Sequence, residues 1–210
     1  LDVLDSRSKA EVHSRMHALQ AKIQPHFLFN SLNTISELAA TNPKHAEEAI
    51  QALAMLFRVS LEESGDFHSL EKELRLCDRY LALEAWRFSR PPTVDRQVQV
   101  DDAKAVHVPK LLLQPLFENA LKYGIAAGLE ARKAVIQLSI KETSSCVSIK
   151  IRNTYQTQTA SKAGHGVALA NTRERLSVLY QDKQSLKVKV DGEWFEVLIK
   201  LPRHGATTLE

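Results

Sequence analysis

The chain has 210 residues, 44% of them hydrophobic and 25% charged, with a formal net charge of +3. That is the composition of a globular protein with material for one large core or two small ones. The charge is too small, and Lys and Arg too dispersed, for a nucleic-acid surface, and no apolar run is long enough to span a bilayer. Cys77 and Cys146 stand far apart in no ligand spacing, which argues against a zinc site or a disulfide framework and for a reducing compartment. Leu1 and the final residues 205–210 read as the ends of a piece cut from a longer chain, the last six a short tail.

From about residue 7 to residue 89 there is no strand-like alternation and one glycine, Gly65. Val12, Met16, Leu19 and Ile23 recur at the spacing of a coiled-coil or bundle seam. Pro25 removes a backbone donor and predicts a kink just before His26. Leu28, Leu32, Ile35, Leu38 and Ala39 then resume a helical face. Thr41-Asn42-Pro43 predicts a break, with Pro43 in the first turn of a second helix to about Glu63 whose apolar face carries Ala49, Leu53, Leu56 and Phe57. Ser64-Gly65-Asp66 ends it, and Ser69 opens a third helix with capping chemistry.

Composition shifts at Ser89-Arg90-Pro91-Pro92, the expected domain boundary. Beyond it the pattern predicts a strand over 94–100, a helix from Pro109 to Gly124, strands over 135–140 and 147–151, and a polar loop from Asn153 to Ala163. A helix from Gly164 to about Tyr180 and strands over 186–190 and 195–199 complete the order. The second half is thus β-α-β-β-loop-α-β-β, one sheet covered by helices.

Three segments carry chemistry. In Gln24-Pro25-His26-Phe27-Leu28-Phe29-Asn30-Ser31-Leu32-Asn33 an imidazole stands among apolar and amide side chains, where a neutral ring nitrogen can attack a phosphoryl group. Asn119 and Lys122, in Gln114 to Gly124, share a helix face and could serve Mg²⁺ and a polyphosphate. Gly164-His165-Gly166 starts a helix where backbone donors can approach an anion, after a loop able to close as a lid. Each taken alone has a plainer explanation: a histidine at a helix interface, a solvated helix face, an isolated glycine pair.

In this order and spacing the segments resemble the LytS-type sensor histidine kinases, whose core joins helices to a GHKL (Bergerat-type) ATP-binding domain. The resemblance runs from about Leu19 to Pro202. Residues 24–33 look like the phosphoacceptor box, Leu70 to Leu74 and Tyr80 to Phe88 like the intervening helix, Val108 to Gly124 like the N box, and Gly164 to Leu176 like the G2 box. It implies an α+β fold: a helical dimerisation and phosphoacceptor region over 1–89, then a GHKL-type α/β sandwich binding ATP over 90–204. His26 would be phosphorylated, Asn119 would bind Mg²⁺, Lys122 would contact phosphate, and the backbone at Gly164 and Gly166 would cradle the nucleotide.

The G1 box departs from the family pattern of Asp-x-Gly-x-Gly. Asn153 takes the acidic position that meets the adenine amino group, and both glycines are missing from Asn153-Thr154-Tyr155-Gln156-Thr157. A neutral acceptor predicts nucleotide binding weaker by roughly 1–2 kcal/mol. Many histidine kinases also place a carboxylate directly after the phosphoacceptor, where this chain has Phe27. Glu118 is therefore the candidate proton acceptor, or else a partner of Lys122 four residues on. The resemblance implies a kinase that passes phosphate from ATP to His26 and then to an aspartate of a response regulator, of the LytTR DNA-binding kind, without touching nucleic acid itself. It also implies a homodimer through the N-terminal helices and a sensor upstream that holds the core at the cytoplasmic face of the bacterial inner membrane. The alternative is a degenerate kinase acting as a phosphatase or partner-binding module.

Overall fold

The computed structural model describes residues 25–61, 65–88, 91–125, 135–155, 165–181 and 183–203. They gather into two compact units that are not consecutive in the chain. One holds the described residues up to Gly65 together with Asp78–Arg87; the other holds Asp66–Cys77 and the described residues from Phe88 onward.

The first unit is helical: α1 (Pro25–Thr41), α2 (Pro43–Leu61) and the second half of α3 (Leu70–Ala85). Asn42 makes the expected break between α1 and α2. Its side-chain Oδ1 accepts from His45 N at 3.3 Å, and Pro43 takes the first helical position, where its missing N–H costs nothing. Helix α2 buries Ala46, Ala49, Ala52, Leu53, Leu56 and Val59, the period of an amphipathic helix. Helix α1 departs from expectation. It buries Phe27, Ser31 and Thr34 and leaves Leu32 48% and Phe29 66% exposed. Ser31 Oγ donates to Phe27 O at 2.8 Å and Thr34 Oγ1 to Asn30 O at 3.0 Å, so these hydroxyls are satisfied within the helix and their small side chains suit a close helix contact. A pattern that counts serine and threonine as solvent-facing picks the wrong face. The Val12–Ile23 seam and the kink before His26 lie outside the described residues.

The second unit carries two strands that the sequence did not show. β1 (Phe67–Ser69) pairs antiparallel with β3 (His107–Pro109), and Leu70 N donates to Val106 O at 2.7 Å. Three residues are too few for alternation to register. The helix expected from Pro109 starts later, as α4 (Gln114–Ile125), because Pro109 is in β3 and Leu111 has φ +55°, outside any right-handed helix. The expected cap of α3 is present: Ser69 Oγ accepts from Lys72 N at 3.2 Å.

The main sheet has the order β2-β4-β5-β7-β6, built from β2 (Thr93–Gln99), β4 (Val135–Glu142), β5 (Cys146–Thr154), β6 (Ser185–Asp191) and β7 (Trp194–Pro202). β2 runs parallel to β4; the other pairs are antiparallel. Burial alternates strictly along β5 and β4, and one face carries Ile136, Leu138, Ile140, Ile149, Ile151, Val197 and Ile199 into the core. At the β6–β7 hairpin, Gly192 takes φ +58° in a two-residue turn between the paired Asp191 and Trp194, a conformation that favours glycine. Helix α4 packs on β4 and β5 and against α5 (His165–Tyr180). The α+β expectation is borne out, with helices layered on one sheet in the second half.

Tyr180 closes α5, buried, with its ring edge-on to Phe67 at 5.7 Å. Burial pushes its phenol from 10.0 up to about 12. The folded protein resists an ionisation that the unfolded chain accepts, so this contribution is complete below pH 10 and is lost as pH rises to about 12. We expect stability to fall across that window by about 2 kcal/mol from this group. Urea unfolding of the wild type and of Tyr180→Phe should show the extra alkaline loss in the wild type alone; equal losses would contradict the assignment.

Candidate functional site

His26 takes the second position of α1, and Phe27 beside it is an anchor. The Phe27 ring is 8% exposed and lies 5.3 Å from Tyr80 on α3. A buried aromatic directly after His26 fixes the backbone that carries the imidazole, although the imidazole itself lies outside the described residues. Asn30, one turn further on, is half-buried.

In the second unit α4 carries three of the candidate residues. Its buried face, Leu116, Phe117, Ala120 and Leu121, sets the helix on the sheet. Asn119 stands next to that face at 9% exposure, and its side-chain Nδ2 is buried without a hydrogen-bond partner. An unmet buried amide costs about 1–3 kcal/mol, so it is a group poised to bind something. Lys122 lies one turn on, exposed, and Glu118 is half-buried.

Asn153 is on β5 at an inward position, paired across the strands with Ile136 and Phe195 and 3% exposed. Its Nδ2 donates to Thr154 O at 2.8 Å, which orients the amide and leaves Oδ1 as its acceptor. Because α4 packs on β5, Asn119 and Asn153 ride on neighbouring elements. Gly166 lies in the first turn of α5, which packs against α4. Gly164 and the polar stretch 156–163 lie outside the described residues. Among the described residues no group of three His, Cys, Asp or Glu could hold a metal ion. A divalent ion here would draw on an amide oxygen and on the ligand's own oxygens. That donor set suits Mg²⁺, which keeps waters and binds through few protein groups.

One residue escaped sequence reasoning. Glu73, on α3 and 1% exposed, accepts hydrogen bonds from Leu113 N at 2.7 Å and Leu111 N at 3.0 Å, directly before α4. His68 Nε2 lies 2.5 Å from the same carboxylate. Arg175 on α5 is attracted by Glu73 and Asp66; desolvation of its guanidinium is the larger effect and lowers its pKa, although the side chain keeps an exposed flank. Glu73 sits in an ordinary helical pattern, and its partners follow some 38–40 residues later, so no local signal could have found it.

Comparison with known proteins finds sensor histidine kinases. The histidine kinase family matches residues 14–91. Sensor histidine kinase YesM of Bacillus subtilis is 30% identical over 86% of this chain and 32% of its own length. Sensor histidine kinase YpdA of Escherichia coli is 33% identical over 80% of this chain and 31% of its own. The sensor histidine kinase/phosphatase LytS of Staphylococcus aureus is 32% identical over 87% and 33%. Among solved structures, the Acinetobacter baumannii histidine kinase AdeS superposes with a TM-score of 0.49 at 13% identity, over 93% of this chain and 98% of that one, a likeness too distant to argue from. Residues 14–91 carry the histidine kinase family match, and over most of its length the chain is similar to sensor histidine kinases. Its relatives are the LytS-like sensor kinases, and it spans about a third of their length. Among the described residues no helix is long and apolar enough to cross a membrane.

Proposed function

We propose that this chain is the phosphotransfer core of a two-component sensor kinase. ATP bound in the second unit gives its γ-phosphoryl group to His26, and the phosphohistidine passes it to an aspartate of a response regulator. The observation that carries the reading is the buried Asn119 Nδ2, a donor without a partner that suits a phosphate oxygen, one turn from Lys122, on a helix packed against the strand of Asn153. Asn119 would hold Mg²⁺ through its Oδ1, and the ion would offset the negative charge of the phosphates when bound. Lys122 contacts phosphate, the Asn153 Oδ1 accepts from the adenine amino group, and the backbone at Gly164 and Gly166 faces the phosphate chain.

The chemistry asked of the protein is mainly positioning and charge neutralisation. A neutral imidazole nitrogen forms the N–P bond as the bond from phosphorus to the β-phosphate oxygen breaks, and ADP leaves. The other ring nitrogen gives up its proton, which we assign to the Glu118 carboxylate. By role the chain divides over 1–89 and 90–204 into a phosphoacceptor region and an ATP-binding domain, with Asp66–Cys77 folded into the same unit as the latter. It acts as a homodimer through its N-terminal helices, which would cover Phe29 and Leu32 of α1 and Ile50 and Leu61 of α2, all exposed in the single chain. The receiver partner is of the LytTR kind, and an upstream sensor holds the core at the cytoplasmic face of the membrane.

A second reading has one observation in its favour. Asn153 offers adenine a neutral acceptor, and its amide nitrogen is already engaged with Thr154 O, as befits a weak nucleotide site and a protein working mainly as a phosphatase. The Staphylococcus aureus relative bears both activities in its name.

Incubation with labelled ATP and Mg²⁺ should give acid-labile label on the wild type, none on His26→Ala, and label formed at least about tenfold more slowly on Glu118→Gln with ATP binding intact. A wild type without label would favour the phosphatase, and an unchanged rate for Glu118→Gln would remove it as the base. Calorimetry should show ATP affinity reduced about tenfold in Asn153→Ala, with GTP binding less affected. Equal losses for both nucleotides would place adenine recognition elsewhere.

A further inference from the structure

Leu111 holds a conformation that a leucine rarely adopts. Its φ of +55° lies in the left-handed region, where the Cβ crowds the backbone, and it stands three residues before the first residue of α4. Such strain persists only where surrounding groups enforce it. Here the enforcing group is visible. The Glu73 carboxylate receives the N–H of Leu111 on Oε2 and the N–H of Leu113 on Oε1, and so takes hold of the strained turn on both sides of Leu112. Leu113 flanks the first residue of α4 and starts its hydrogen bonding, since Leu116 N and Phe117 N both donate to its carbonyl at 3.0 Å. Oε2 also meets His68 Nε2.

Glu73 is held in turn from its own side. Strand β1 places His68 by pairing it with Val108, and Ser69 caps the helix that carries Glu73. A carboxylate only 1% exposed is expensive unless hydrogen-bonded, and these donors offset that cost.

We propose that Glu73 is a positioning residue for the nucleotide site. It fixes where α4 starts and at what rotation it leaves the Leu111 turn, and thereby where Asn119 and Lys122 are presented. A helix that began one residue earlier would turn by about 100°, moving Asn119 off the position it occupies beside the buried face. Glu73 touches no nucleotide itself; it acts through Leu111 and Leu113. This inference rests on the nucleotide-binding reading above.

Glu73→Gln keeps the size of the side chain but replaces one acceptor oxygen with a donor that faces a backbone N–H. In the full chain we expect amide exchange over residues 110–117 to quicken, and Mg-ATP affinity to fall by at least about tenfold, with the helix signal in circular dichroism unchanged. Adding Leu111→Gly should restore most of the affinity, because glycine takes positive φ without being held there. A general loss of stability would not be rescued in that way. If Glu73→Gln alone does not fold, the pair with Leu111→Gly should fold and bind; a pair that also fails overturns the role. Unchanged exchange over 110–117, or unchanged affinity in Glu73→Gln, overturns it as well. A wild-type chain that binds no nucleotide overturns the proposed function and this role together, whereas normal wild-type binding with an unaffected Glu73→Gln overturns this role alone.

Discussion

The inner face of the β4–β5–β7 sheet must be covered, and α4 supplies cover for β4 and β5. Ile136, Leu138, Ile140, Ile149, Ile151, Val197 and Ile199 present a continuous apolar surface, and leaving it in water would cost about 25 cal/mol for each Å². Helix α4 covers it with Leu116, Phe117, Ala120 and Leu121. Once that contact is made, little freedom remains in the neighbouring positions. Asn119 is carried to the margin of the buried face, and Asn153, on the same inward alternation as Ile149 and Ile151, is carried under the cover. The placement of two polar side chains is thus a by-product of an apolar packing rule.

Buried polar groups in this unit then divide into satisfied and unsatisfied. Glu73 receives hydrogen bonds on both oxygens, Asn153 donates to Thr154 O, and Thr172 Oγ1 donates to Ala168 O. These groups stabilise a particular backbone path, because moving it would strand a donor or acceptor. Asn119 Nδ2 is different: it is buried and has no partner. His68 Nδ1 and Gln184 Oε1 share that state, but Asn119 is the one that stands on the helix next to Lys122, where binding energy can be gained.

The helical unit solves its packing differently. Ser31 and Thr34 turn their hydroxyls back onto their own helix, and α2 meets them with Ala46, Ala49 and Ala52 among its buried residues. Phe27 is the large side chain in this part of α1, and its contact with Tyr80 anchors the residue next to His26. The larger apolar side chains of α1, Phe29 and Leu32, remain outside. The histidine segment therefore combines a fixed backbone with an uncovered apolar surface.

Residues 24–33 show how much was legible in the chain alone. The box His26 to Asn33, the order of the motifs and the strict alternation of β4 and β5 are local patterns with short periods, and they determined the α+β class, the family resemblance and the candidate residues. The break at Asn42 and the cap at Ser69 were equally local, and both were read correctly. What the tertiary structure decided were matters of partnership. The buried face of α1 depended on which helix lay against it; β1 existed only because β3 lay beside it; and the late start of α4 depended on a carboxylate some forty residues earlier. Periodicity reports which side chains prefer water, but it carries no information about which distant donor a buried acceptor will meet, and Glu73 acquires its meaning only when the chain has folded back upon it.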